Sequence, residues 1–433
     1  APKNDPTLFA LAMAAGEGNT ETRKAALDNL PRVARIGTHL FHFLIYVQQF
    51  RGWGRGLREA VAKWYTDKDT DDLAYQVIKY RQRNGWSHRD AMRKAHPIPT
   101  NKTQKHLFHW VTQGKAKKKA PDYIHAFESA QTAETPKQIC RLIRDHNLPR
   151  EAIPTHFLND PSVWGALLER MPITATIRNL GKMSAVGLLK PMSQHAKLVA
   201  ERITTPIILK NARVHPLSIL VALRTYQQGQ GVKGSLVWNP VREVVDALNE
   251  AFYLSFGNVE PTGKRTMLAL DVSGSMGFGT IAGMPGISPR VGSAAMSLVM
   301  ANVEPQYMTV AFQRQLTPID ISPRQRLDDV IHRISGLPFG GTDCSLPMIY
   351  ALRNKLEIDT FVIYTDSETW AGRSHPSQAL TEYRQKTGIN AKLVVVGMES
   401  NGFTIADPND AGMLDVVGFD TATPQIISDF ARS

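Results

Sequence analysis

Five oxygen-bearing side chains stand out first. Asp271, Ser273 and Ser275 alternate in Asp271-Val272-Ser273-Gly274-Ser275, directly after an apolar run. Thr342 lies in Gly340-Gly341-Thr342-Asp343, and Asp366 closes Tyr364-Thr365-Asp366 after another apolar run. Carboxylates and hydroxyls are hard ligands, so the set suits a divalent cation, Mg²⁺ before all, with Ca²⁺ or Mn²⁺ also compatible. Taken singly, such residues serve equally well as turn and helix-cap residues. Metal-assisted hydrolysis is chemically conceivable, but no His or Lys is adjacent in sequence to act as base or clamp. Neither a Gly-x-x-x-x-Gly-Lys-Ser/Thr loop nor Gly-x-Ser-x-Gly occurs. The cluster therefore reads as a binding site in a protein that is not an enzyme, with Glu368 as a supporting group behind the ligands.

A second group is basic. Tyr75, Lys79 and Arg83 recur at intervals of four and are predicted to stack along one face of a helix over Thr70–Arg83. Leu73, Val77 and Tyr80 fall on another face, for packing. Asn84-Gly85 is expected to end that helix, and Ser87-x-x-Asp90 to cap the next. His96 closes the second helix just before Pro97, where a carboxyl terminus favours a protonated imidazole. Lys79, Arg83 and His96 are thus the candidate contacts to a nucleic acid, RNA or DNA, with Arg81, Arg89, Arg93 and Lys94 adding charge. A solvated basic face is the competing reading. Arg51, Arg55 and Arg58 form a weaker basic face, and Lys115–Ala120 a basic loop.

Two kinds of element must position these groups. Up to about residue 256 apolar residues recur at three- and four-residue spacing, in helices such as Gly54–Tyr65, Pro136–His146 and Pro240–Phe256. No alternating strand is expected there, and stacked helix pairs are. After Glu260-Pro261-Thr262-Gly263, short apolar runs at Met267–Val272, Met308–Phe312, Thr360–Tyr364 and Leu393–Val396 alternate with helical patterns. That alternation predicts a doubly wound, mostly parallel α/β sheet, with ligands at the carboxyl ends of its strands. The domains are placed at 1–258 and 259–433.

Charge follows the same division. The 433 residues carry a formal net charge of +12. Residues 1–250 hold 37 basic and 21 acidic side chains, and residues 251–433 hold 14 and 18. The first part is therefore the one suited to an acidic polymer. No apolar run approaches the ~18 residues of a membrane span. Two cysteines, Cys140 and Cys344, rule out a disulfide framework or a Cys-rich zinc site, and a reduced, cytoplasmic setting is expected.

The five-residue cluster resembles the metal-ion-dependent adhesion site of the von Willebrand factor A fold, where an open metal position takes a partner's carboxylate. Longer stretches resemble the Ro autoantigen family and its helical TROVE module. They are Lys79-Tyr80-Arg81-Gln82-Arg83-Asn84-Gly85-Trp86-Ser87-His88, Met171-Pro172-Ile173-Thr174-Ala175 with Arg178-Asn179-Leu180-Gly181-Lys182-Met183, Glu260 to Arg265, Gly340 to Met348, and Ser400 to Pro408. The resemblance covers nearly the whole chain and looks like a bacterial member. It implies a multidomain fold: an all-α ring of HEAT-like repeats followed by a von Willebrand A domain, monomeric as a ring. It implies binding of small non-coding Y RNAs on the basic surface, with contacts at Lys79, Arg83 and His96. It also implies capture of misfolded RNAs by their single-stranded 3′ ends, in RNA quality control, with exoribonucleases as partners and no membrane. A metal-dependent protein-interaction module with a merely structural helical part is the alternative. Two features depart from the family pattern: the chain starts close to Asp5-Pro6-Thr7, ahead of which the family has further helices, and Phe278–Pro289 reads as a Gly/Pro-rich insertion that covers or reshapes the metal site.

Overall fold

The computed structural model of the chain describes residues 4–232, 234–281, 284, 286–338, 340–366, 371–399, 405–418 and 423–433. Glu368 and the Ser400–Thr404 part of one family motif lie outside the described residues. The chain forms two compact units, Ala1–Met171 and Pro172–Ser433.

The first unit carries α1 (Asp5–Glu17), α2 (Thr20–Asp28), α3 (Leu30–Val33), α4 (Gly37–Phe50), α5 (Arg55–Thr66) and α6 (Thr70–Lys79). A small hairpin follows, β1 (Gln82–Arg83) and β2 (Trp86–Ser87), then α7 (His88–Ala95), α8 (Lys102–Gln113), α9 (Asp122–Gln131), α10 (Pro136–His146) and α11 (Pro161–Arg170). Each helix packs mainly on near neighbours in sequence, as α1 does on α4 and α10 on α11, the contact pattern of a stack of helix pairs. The amphipathic spacing is what permits this. In α5, Leu57, Ala60, Val61, Trp64 and Tyr65 are buried, while Arg55, Arg58 and Glu59 stay in water.

The second unit begins with α12 (Ile173–Ala185), α13 (Gln194–Ile203), α14 (Pro206–Asn211), α15 (Pro216–Gln228) and α16 (Arg242–Leu254). Next come β3 (Thr266–Asp271), α17 (Pro289–Val303), β4 (Tyr307–Phe312), β5 (Leu316–Ile319), α18 (Leu327–Ser335) and α19 (Leu346–Arg353). The unit ends with β6 (Thr360–Thr365), α20 (Pro376–Thr387), β7 (Lys392–Gly397), β8 (Met413–Val417) and α21 (Thr423–Arg432). The sheet order is β5-β4-β3-β6-β7-β8, parallel except for the antiparallel edge β5. Met267 and Ala269 pack with Met348, Leu380 and Tyr383 on one face. Leu268 and Leu270 are buried too and face the other way by the pleat, towards the layer that α17 supplies. Burial on both faces explains the unbroken apolar strands.

Tyr253 ties α16 to the sheet part: its hydroxyl accepts from the Leu327 amide at 2.9 Å, and the Arg326 guanidinium lies 4.8 Å from its ring. Among the described residues, part of the 278–289 segment packs inward. Ile281, Met284 and Ile287 are buried, and three backbone hydrogen bonds join them to one another.

Two expectations are corrected. The helix over Thr70–Arg83 stops at Lys79, and Arg83 sits in β1. The helical part is therefore not strand-free: β1 and β2 pair antiparallel, Gln82 with Ser87 and Arg83 with Trp86. Asn84 and Gly85 both have positive φ, 49° and 79°, the signature of a type I′ hairpin turn.

Candidate nucleic-acid interface and metal site

The basic segment is built from α6, the hairpin and α7 in succession. Asp69 caps α6 by accepting from the amides of Asp71 and Asp72, at 2.9 and 3.2 Å. Leu73, Ala74, Val77 and Ile78 anchor the helix. Tyr75 and Lys79 do share a face: Nζ of Lys79 donates to the Tyr75 hydroxyl at 2.5 Å and lies 4.9 and 5.6 Å from the Tyr75 and Tyr80 rings. Burial opposes the charge on Lys79. The hydrogen bond to Tyr75, with Tyr80 and then Glu151 adding to it, outweighs burial and holds the ammonium above its ordinary pKa. Lys79 is thus a half-buried, aimed cation.

Arg83 is exposed on its two-residue strand. The hairpin rests on Trp86, whose ring centroid is 5.8 Å from that of Trp53. Ser87 begins α7 with the expected capping box: its amide and hydroxyl reach the Asp90 carboxylate, and the Asp90 amide reaches the Ser87 hydroxyl. His96 caps the carboxyl end in the left-handed conformation, φ 51°, and is exposed. Eight residues of α7 put it roughly 12 Å along the axis from the hairpin. Lys79, Arg83 and His96 therefore do not converge on a point; they are spread over a surface, as contacts to successive phosphates would be. Arg81, Arg83, Arg89, Arg93 and Lys94 are all exposed, and none has an ion-pair partner among the described residues.

Beneath this segment lies His88. It is buried against Phe41, Trp64 and Tyr65, and its Nδ1 pairs with the Tyr65 hydroxyl at 2.9 Å. Burial pushes its pKa down to about 3, against the opposing pull of the Gln76 and Tyr80 carbonyls.

The second site sits at the carboxyl ends of β3 and β6. Parallel register sets Leu270 beside Tyr364, so Asp271 falls beside Thr365 and Asp366 follows immediately. Thr365 Oγ1 donates to Asp271 Oδ2 at 2.8 Å, and the Ser273 amide to Asp271 Oδ1 at 2.8 Å. The Ser273 and Ser275 hydroxyls are 3.1 Å apart. The Thr342 loop comes to the same edge because the Asp343 amide donates to the Gln313 carbonyl at 3.0 Å, just past β4. Asp343 itself is taken: it accepts from the Ser345 amide and hydroxyl at 3.0 and 2.6 Å, starting α19. Asp271, Ser273, Thr342 and Asp366 are buried, and Ser275 is exposed.

Burial pushes the Asp271 carboxyl up to about 6. Hydrogen bonds from Ser273 and Thr365 oppose this, and the Asp366 charge adds to it. Two carboxylates in one buried pocket repel each other unless a cation lies between them. With two hydroxyls and Thr342 they offer an all-oxygen donor set that fits Mg²⁺, Ca²⁺ or Mn²⁺. Thr365 and Arg290 were missed by sequence reasoning. Arg290 Nη2 donates to the Ser273 carbonyl at 3.2 Å and braces the turn from the next helix. Neither carries a local signal, since only register and tertiary packing bring them in.

A helical module followed by a von Willebrand A-type domain with an oxygen-rich strand-end site defines a class of two-part proteins. Residues 1–225 match the family model described as the TROVE domain, and residues 265–431 that described as the Ro60 vWA domain. The chain is 45% identical to the Deinococcus radiodurans protein named RNA-binding protein RO60, over 100% of this chain and 82% of the relative. It is 36% identical to the Caenorhabditis elegans protein of the same name, over 99% and 78%. Its structure matches the crystal structure of the Deinococcus radiodurans RO (RSR) protein with a TM-score of 0.92, over 100% of this chain and 88% of the other. The chain belongs to the Ro60 family.

Proposed function

We propose that this chain is a non-catalytic RNA-binding protein whose RNA surface runs from Lys79 through Arg83 to His96. The observation that carries the reading is the exposed row of cations on the hairpin and α7, unpaired with carboxylates among the described residues, in a chain whose full-length relatives are named RNA-binding proteins. Phosphate contacts position an RNA without reading its sequence, so shape and strand state set the choice of ligand. Small structured Y RNAs and misfolded RNAs with single-stranded 3′ ends are the ligands proposed, with handover to exoribonucleases in RNA quality control. The test is titration of the purified chain with a Y RNA at rising salt. Affinity that falls steeply and log-linearly with salt supports the reading; no binding at low salt contradicts it.

The strand-end cluster supports a second element of function. Asp271, Ser273, Ser275, Thr342 and Asp366 would hold a divalent cation, Mg²⁺ first. When bound, the cation supplies an electrophilic position for an acidic group of a protein partner. The buried carboxylate pair favours this reading, and Mn²⁺ titration followed by electron paramagnetic resonance checks it.

A further inference from the structure

A cavity of about 550 Å³ opens beside the hairpin, between β1, β2, α8 and α9. This is within the size range of small-ligand sites, roughly 300–1,000 Å³. Its floor is apolar: Val77, Trp110, Val111 and Phe127. Its mouth carries two guanidiniums, Arg81 and Arg89, both exposed. Arg81 is held with its guanidinium carbon 5.7 Å from the Phe127 ring centroid. The one carboxylate in the lining, Glu128, is already committed: its Oε1 accepts from Trp110 Nε1 and from the Ala116 amide, each at 3.0 Å. Gln82 and Gln131 add neutral amides, and Gln131 spends Nε2 on the Ala152 carbonyl at 2.7 Å, leaving its oxygen.

An apolar slot, a guanidinium held over an aromatic ring, amide hydrogen-bonding groups and a cationic mouth match one chemistry: a flat heterocycle joined to an anionic phosphate. Gln82 lines the cavity, while Arg83, the next residue on the same strand, points its charge to the candidate RNA surface by strand alternation. Arg83 therefore lies outside the cavity, and the cations at its mouth are Arg81 and Arg89. We propose that this cavity receives one unpaired nucleotide of the bound RNA. The base stacks on the Arg81 guanidinium over the apolar floor, and its phosphate lies between Arg81 and Arg89. The inference rests on the RNA-binding reading above and deepens it. A paired base is excluded because its hydrogen-bonding edge is occupied and its faces are stacked.

The test compares two RNA stems of one sequence, identical except that a central 2-aminopurine is unpaired in one and opposite uridine in the other. The full chain is expected to bind the unpaired stem about tenfold more tightly, the worth of one stacked base, and to shield the 2-aminopurine from acrylamide quenching. Arg81→Ala abolishes the preference and the shielding. Val111→Phe fills the cavity without altering charge; it abolishes both while leaving affinity for the paired stem unchanged. Equal affinity for the two stems, or a preference that survives Val111→Phe, overturns the proposal but leaves the RNA-binding reading standing. If neither stem binds at low salt, that reading fails and this one with it. Adenosine monophosphate serves as the free-nucleotide arm: saturable binding sensitive to Val111→Phe, with stems bound equally, assigns the cavity to free nucleotides and overturns its assignment to RNA.

Discussion

The surface around Arg83 and the cluster around Asp271 differ in what holds their side chains in place. Arg83 projects from a two-residue strand into water, steadied by one turn and by the Trp86–Trp53 contact. Asp271 is 1% exposed, and its two oxygens are held by Ser273 and Thr365 from two elements. An exposed array spreads its free energy over several weak, screened contacts. A buried cluster concentrates it, because each polar group there must be satisfied. Loss of one residue should weaken the first site and destroy the second.

The largest expected effect follows from that contrast. Asp271→Ala removes a central carboxylate of the proposed cation site and should lower Mn²⁺ affinity by about a hundredfold or more, the upper end of losses seen even for outer-shell partners. Calorimetric titration checks this, and RNA affinity should stay as it was. A comparable loss of RNA binding would break the separation between the two sites.

Next is the pH response of the helical unit. His88 is neutral when folded, with a pKa near 3 against an ordinary 6.5. Below 6.5 the unfolded chain binds a proton that the folded chain refuses. Stability should thus be full above 6.5 and fall progressively as pH drops towards 3, with a limiting slope of about 1.4 kcal/mol per pH unit. Chemical denaturation from pH 7.5 to 4 reads this out. His88→Gln should flatten the slope while lowering stability at neutral pH, since it gives up the packing on Phe41 and Trp64. His39, also pushed down, to about 4, contributes in the same direction.

The smallest effect concerns the hairpin turn. Nothing lies within 4 Å of a Cβ built on Gly85, yet its φ is 79°. Gly85→Ala therefore tests backbone strain alone, about 1 kcal/mol. It should loosen Arg83 and weaken RNA binding only a few-fold, measurable by fluorescence anisotropy. A loss as large as that from deleting the arginine would mean that turn geometry, not charge, dominates this surface.

The two regions also differ in how far they could be read from sequence. Asp271, Ser273 and Ser275 are legible because one turn carries all three, and unbroken apolar runs announce β3, β4, β6 and β7. The edge strands are not announced. Leu316–Ile319 contains Pro318 and is only partly buried, and Met413–Val417 carries Asp415; each meets the sheet on one side only, so its pattern is diluted. Thr365 and Arg290 enter the candidate metal site through register and packing, which no local spacing reports. In the basic region the four-residue spacing of Tyr75, Lys79 and Arg83 mimics a longer helix. The competing signal was present: Asn84-Gly85 between Arg83 and Trp86 is a hairpin turn as well as a helix stop. Ser87-x-x-Asp90 was decisive because a capping box is a local device. The amphipathic helices, with Trp64 and Tyr65 inward, were legible for the same reason.

RNA binding by this surface rests on Lys79 and Arg83 holding RNA phosphates. The direct measurement is the salt dependence of Y RNA affinity for the Lys79→Ala, Arg83→Ala double variant beside the unaltered chain. Weaker binding at low salt is expected, with a log–log slope shallower by about 0.7–0.9 per lost contact. An unchanged affinity with an unchanged slope would contradict it.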